Sequence, residues 1–136
     1  MQNPPPVQMT KSSTGLDENV AALLSYVFNW VSGLVFFLIE KDSRLVRFHA
    51  MQSLILSIVF FVGLIILYIV WFVLAIIFSQ ISGLLGTLVG LVVGLIIFVY
   101  FIACVIGWIL GMIKAFQGQY FKLPVIGNLA EKFSTK

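Results

Sequence analysis

The amino-acid sequence predicts an all-α polytopic membrane protein with three transmembrane helices and a short interfacial helix near its C-terminus. Three observations carry that prediction. Positions 50 to 113 contain no charged side chain, a run about three times the roughly 20 apolar residues needed for one helical span. The chain is 61% hydrophobic and 10% charged, where ordinary globular chains are about 45–50% apolar and about 25% charged. The uncharged run holds one cluster of turn-forming residues, Ser79-Gln80-Ile81-Ser82-Gly83, so it divides into two spans.

Within 136 residues such a composition leaves room for one small membrane domain and no separate soluble one. Residues 1–18 read as a disordered tail, because Pro4-Pro5-Pro6 blocks helix and Lys11-Ser12-Ser13-Thr14-Gly15 is polar and flexible. The apolar stretch behind it lacks a basic flank and a small-residue cleavage pattern, so it does not read as a cleaved signal peptide. Residues 19–39 are expected to form transmembrane helix 1, about 31 Å of helix against a hydrocarbon core of about 30 Å. Residues 40–49 form a cytoplasmic loop and the start of the next helix, with Asp42 or Ser43 available as its cap. Transmembrane helix 2 is placed at 50–78, an external turn at 79–83 and transmembrane helix 3 at 84–113. Both long spans exceed the core thickness and call for tilt. In the tail, 114–136, Gly118 ends the last helix. Pro124 opens an amphipathic segment with Val125, Ile126, Leu129 and Phe133 on one side.

Charge sets the orientation. With three spans, Lys41, Arg44 and Arg47 share a side with Lys114, Lys122, Lys132 and Lys136, leaving Lys11 alone on the other. With four spans the basic residues divide evenly. The positive-inside rule therefore favours three spans in the cell membrane, N-terminus outside and C-terminus cytoplasmic.

Helices in lipid associate through close packing and buried polar contacts. Gly86, Gly90 and Gly94 recur every four residues along one helical face, and Gly107 and Gly111 repeat the spacing lower down. This stripe suits packing within the chain or a homo-oligomer. On the first span Ala22, Ser25, Asn29 and Ser32 form a narrow face of small and polar groups. Asn29, at mid-span, is expected to bond across to another helix, with Ser57 a candidate partner, because an unpaired amide in hydrocarbon costs several kcal/mol. Tyr100, also mid-span, needs a partner for its hydroxyl.

Most of the polar chemistry lies where the second span begins. His49, Gln52 and Ser53 share a helical face, while Arg44 and Arg47 point elsewhere, toward headgroup phosphates or the C-terminal tail. These five residues are the candidate contacts for a lipid headgroup or a cytosolic partner. They do not compose a catalytic site, since no carboxylate within the spans can orient His49 for Ser53. One histidine and the remote Cys104 cannot supply a metal site, and no cofactor is implied. No basic patch with interleaved aromatics points to nucleic acid. The absence of ionisable residues inside the spans disfavours a coupled transporter.

The run Glu40-Lys41-Asp42 through Arg47-Phe48-His49-Ala50-Met51-Gln52-Ser53, with Tyr120-Phe121-Lys122-Leu123-Pro124-Val125-Ile126-Gly127, resembles a widespread family of small prokaryotic membrane proteins of unknown function. That family is distantly similar to the small Tic-type component of the chloroplast inner-envelope import machinery. The likeness covers about residues 16 to 133 and implies a small multi-span helical protein without known catalysis. The function expected is structural or accessory, packing with itself or with partner membrane proteins in the lipid bilayer. The alternative is an oligomeric channel or a protein-translocation component.

Overall fold

The structure, a computed structural model, describes residues 10–135. Residues 1–9, the first half of the expected tail, and Lys136 lie outside the described residues. From Glu18 the chain is helical: α1 is Glu18–Val27, α2 Trp30–Ile39, α3 Arg44–Ile81, α4 Gly83–Phe116 and α5 Ile126–Ser134. Two compact units divide it. One takes in the described residues up to Ile55 and from Trp108 onward, and the other is Leu56–Gly107.

The Leu56–Gly107 unit holds the middle of α3 and α4. Both helices, 38 and 34 residues long, are long and apolar enough to cross a membrane. None of the most apolar stretch of α3 is buried, and 6% of that of α4. The core helix of a soluble protein would be covered, so these side chains face outward as lipid requires. The turn between the helices is a single residue, Ser82, whose Oγ accepts the N–H of Leu85 as an N-cap (3.4 Å). So close a return brings Ser79 Cα within 2.9 Å of where a Cβ on Gly86 would stand. Further along, Trp71 Nε1 donates to the Gly90 carbonyl (3.1 Å). Tyr100 finds its partner in the carbonyl of Val59, its ring filling the space that Gly63 leaves open.

The other unit departs from the sequence-based expectation. Residues 19–39 do not form one helix. They form two ten-residue helices broken at Phe28 and Asn29, each about 15 Å long and thus half the hydrocarbon thickness. The reason is local. Asn29 has φ +54° and ψ −126°, the conformation of the first central residue of a type II′ turn, for which asparagine is among the preferred residues, and Val31 N–H closes that turn on the Phe28 carbonyl (3.2 Å). Ser32 then staples the two arms, its Oγ accepting from Phe28 N–H (3.0 Å) and facing the Ser25 carbonyl (3.0 Å). The chain turns back on itself, so the start of α1 and the end of α2 meet. Ser43 Oγ donates to Glu18 (2.7 Å), and Ser13 bonds Glu40 (2.8 Å). Among the described residues two helices rather than three are therefore long enough to cross.

This helical hairpin packs against the adjoining ends of α3 and α4. Gly33 lets α2 approach α3 until a Cβ would lie 3.0 Å from the Ala50 carbonyl oxygen. Along α4, Asn19 Nδ2 donates to the Phe116 carbonyl (3.0 Å) and Trp108 Nε1 to that of Tyr26 (2.7 Å). Ala21, Ala22, Tyr26, Leu45, Val46 and Ala115 form the buried core between them. Residues 10–17, expected as disordered tail, form an ordered loop. Lys11 pairs with Asp17 (2.7 Å), and Gly15 at φ +86° makes the turn.

Candidate functional site

The site is built where α3 begins, and its first component is a carboxylate. Glu40 is fully buried between α2 and α3. Its side chain accepts the backbone N–H groups of Ser13 (3.0 Å), Asp42 (3.0 Å) and Ser43 (2.9 Å), and the Ser13 hydroxyl. Burial alone would raise its pKa. The surrounding donors outweigh that and hold it below the ordinary glutamate value. Ser43 then caps α3, its Oγ accepting from Val46 N–H (3.3 Å).

Arg47 closes the opposite side. Its guanidinium donates to the carbonyls of Phe37 (3.2 Å), Glu40 (2.8 Å) and Ser134 (3.3 Å) and stacks 4.5 Å over the Phe37 ring. It satisfies carbonyls at the C-terminal ends of both α2 and α5, where cations are favoured. Of the two destinations the sequence offered Arg47, the C-terminal tail is the one found.

The third component is a buried lock on the segment after α4. Gly118, at φ +71°, ends α4 with Gln119 N–H bonded to the Lys114 carbonyl and Gly118 N–H to that of Ala115 (both 3.0 Å), a Schellman cap. The strap that follows, residues 119–123, is held by His49 and Gln52, both fully buried. His49 Nε2 lies 2.7 Å from the Gln119 carbonyl and must donate to it. Nδ1 is then the acceptor of a neutral imidazole, so Tyr26 Oη donates to it (2.9 Å). Gln52 Nε2 donates to Tyr26 Oη (2.9 Å) and to the Phe121 carbonyl (3.0 Å). Its Oε1 accepts the N–H of Leu123 (3.1 Å). A proton added to His49 would leave the Tyr26 hydroxyl hydrogen without its acceptor, so the network fixes the neutral tautomer. Among the described residues no buried side-chain nitrogen or oxygen lacks a partner.

The candidate residues thus separate. His49 and Gln52 are brought together as the lock. Ser53 is also buried, but its hydroxyl donates to the Asn29 carbonyl (3.1 Å) at the hairpin tip. Only Arg44 stays exposed, and among the described residues it makes no hydrogen bond or ion pair. Asn29, expected as an amide bonded across mid-span, sits exposed at the hairpin tip, and its backbone carbonyl rather than its side chain takes the bond. The glycines differ too. Gly111 is buried against Tyr26, a Cβ there falling 2.7 Å from the ring, while Gly86 and Gly90 pack against the facing helix as described. Gly94 has open space before it, and Gly107 is half-buried.

Sequence reasoning missed Tyr26 and Glu40 as the centres of the two networks. A signal for Tyr26 existed, since it stands beside Ser25 on the face that carries Ala22 and Asn29. On the short helix α5 the buried face is Gly127, Ala130 and Ser134. Of the apolar side expected there, Leu129 and Phe133 are therefore left exposed, as is Val125 just before the helix, while Ile126 is half-buried; a helix lying on lipid would leave such a face.

The model of the magnetosome magnetite crystal formation protein family matches residues 16–130. The chain is 41% identical to a UPF0132 membrane protein of Methanocaldococcus jannaschii, over 93% of this chain and 96% of the relative. A second UPF0132 membrane protein of that organism is 40% identical over 88% and 71%, and one of Archaeoglobus fulgidus 36% over 86% and 95%. No solved structure matches the chain. These relatives support the likeness to small prokaryotic membrane proteins; none of them bears on the chloroplast import component.

Proposed function

The chain belongs to the magnetosome magnetite crystal formation protein family, and on that premise we propose that it is an accessory protein of the cell membrane that organises neighbouring membrane proteins by packing against them. The names of its archaeal relatives carry membrane residence alone. The crystal-formation role in the family's description belongs to the proteins so described. What comes from it to this chain is an assisting part in a membrane-bound assembly. The observation that supports the reading most is the division of labour between the two units. The lock commits His49 and Gln52 of α3 to internal bonds, while α3 and α4 present outward apolar surface. Gly94, with nothing within 4 Å of a Cβ, offers a neighbouring helix a close approach on α4. No catalysis is assigned, because both nitrogens of the buried His49 are occupied.

In this reading α3 and α4 cross the bilayer and the α1–α2 hairpin enters it and returns. Both termini are then cytoplasmic, and Lys11 joins the other described basic residues on the inner side, a stronger positive-inside bias than three crossings give. Photocrosslinking in native membranes from position 94 tests the packing role. A reproducible protein adduct is expected from 94 and not from the buried position 111. Lipid adducts alone from both positions would refute it.

One observation favours a second reading, an oligomeric channel or translocation component. The amide of Asn29 has no side-chain hydrogen bond among the described residues. Non-helical backbone at membrane depth is tolerated where it is buried or lines a water-filled cavity. Single-channel steps from pure protein in liposomes would support this reading, and silence would remove it.

A further inference from the structure

A cleft of about 210 Å³ opens between the start of α3, the strap and α5, lined by Arg44, Phe48, Tyr120, Lys122, Glu131, Ser134 and Thr135. It is roomy enough for a small polar group, since one water needs only about 10–15 Å³ of such space. Its position is fixed rather than incidental. The lock holds the strap that carries Tyr120 and Lys122, and Phe48 is 3% exposed beneath them, its ring 5.6 Å from that of Tyr120.

Two of its polar groups are uncommitted. Arg44 makes no hydrogen bond or ion pair among the described residues, in contrast to Arg47 one turn on. The Tyr120 hydroxyl likewise has no hydrogen-bond partner among them. Burial and the carboxylate of Glu18 raise its pKa, with Arg44 opposing, so it stays a donor. Lys122 is paired with Glu131. Both partners are well exposed, and an exposed pair of this kind exchanges readily for another anion. The cleft therefore presents a planar guanidinium, an ammonium and a phenol, the donor set that suits phosphate oxygens.

The surroundings distinguish the source of that phosphate. α5 lines the cleft with Glu131, Ser134 and Thr135, and its opposite side exposes Leu129 (39%) and Phe133 (44%), with Val125 (72%) at its N-cap. A free phosphate ion leaves that face in water, whereas a bilayer covers it and brings phospholipid headgroups to the cleft. We propose that the cleft binds the phosphate of an anionic phospholipid headgroup, with Arg44 and Lys122 as its cationic contacts, Tyr120 as hydroxyl donor and the apolar side of α5 resting on the bilayer. The proposal rests on the membrane placement argued above but not on any protein partner.

Native mass spectrometry of the full chain, released from detergent with added phosphatidylglycerol, tests it. One tightly retained phosphatidylglycerol is expected, with phosphatidylcholine retained at least tenfold less. Arg44→Gln and Tyr120→Phe should each weaken retention, Arg44→Gln by about tenfold, while Lys41→Gln, an equal loss of charge outside the cleft, should not. Equal losses in Arg44→Gln and Lys41→Gln would overturn the site in favour of diffuse surface charge. Retention unchanged in Arg44→Gln would overturn it outright. Displacement of the lipid by the same concentration of inorganic phosphate would overturn the lipid assignment. Unchanged hydrogen exchange at Leu123 in each variant shows that the strap is still in place.

Discussion

Replacing Gln52 by leucine removes three hydrogen bonds at once while nearly keeping side-chain volume. The Phe121 carbonyl loses its donor and the Leu123 N–H its acceptor, and Leu123 is only 6% exposed. Tyr26 keeps its bond to His49 and suffers less. An orphaned buried backbone group costs about 1–3 kcal/mol, so the two together cost on the order of 2–6 kcal/mol. The strap escapes that cost by lifting off α3, and the penalty appears as a smaller free energy of opening rather than global unfolding. Even about 2 kcal/mol corresponds to roughly 30-fold in the opening equilibrium, since about 1.4 kcal/mol is tenfold. Two measurements read it: the exchange rate of the Leu123 amide, and the rate of tryptic cleavage after Lys122, which lies in the strap. Both should rise by about 30-fold or more while helical circular dichroism stays unchanged. Rates within about twofold of the parent protein would refute the lock.

Three further outcomes follow from the same unit. Gly111→Ala sets a methyl 2.7 Å from Tyr26 Cε1, a ring pinned through its hydroxyl, and should cost about 1–3 kcal/mol; Gly94→Ala should cost almost nothing, and thermal denaturation in detergent compares them. Arg47→Lys cannot reproduce a planar fork serving three carbonyls and the Phe37 ring. It should raise hydrogen exchange across 126–134 several-fold, with α3 unaffected. Glu40 has a folded pKa below its unfolded value, so its contribution is full above the unfolded pKa and is lost as pH falls through the folded one. Acidification below the ordinary glutamate range should therefore release residues 10–17. Glu40→Gln should release them already at neutral pH, as limited proteolysis at Lys11 would report.

The two long helices were legible because they depend on one gross property, the absence of charge from 50 to 113, which no local detail can reverse. The turn near Ser82, the end of α4 at Gly118 and the need of Tyr100 for a partner were legible for similar reasons. Each follows from a single residue's chemistry. The lock was half legible. His49 and Gln52 stand one turn apart and were expected to act together, but what they hold is backbone, the carbonyls of Gln119 and Phe121 and the N–H of Leu123. Backbone partners 69 to 71 positions away leave no mark in side-chain identity. Glu40 escaped notice because a carboxylate beside Lys41 and Asp42 looks like part of a solvated loop. Only the folded chain shows it buried under Ser13.

The hairpin is the instructive case. A stretch of about 20 apolar residues has the length of one span, but it also has the length of two half-depth arms, and hydropathy weighs the two alike. What separates them is chemistry at the centre. Ser25 and Ser32 stand nearly symmetrically about Phe28 and Asn29, so folding the chain there brings a hydroxyl onto a carbonyl freed by the break. Asn29 supplies a residue that tolerates positive φ at that point, and Ser53 on α3 caps its carbonyl from outside. At the base, Glu18 meets Ser43 and Glu40 meets Ser13, bonds that a straight helix of about 31 Å would hold apart. A continuous span would leave both carboxylates at opposite faces of the membrane without these partners. Polar residues placed in pairs about the middle of an apolar stretch thus argue for return rather than crossing.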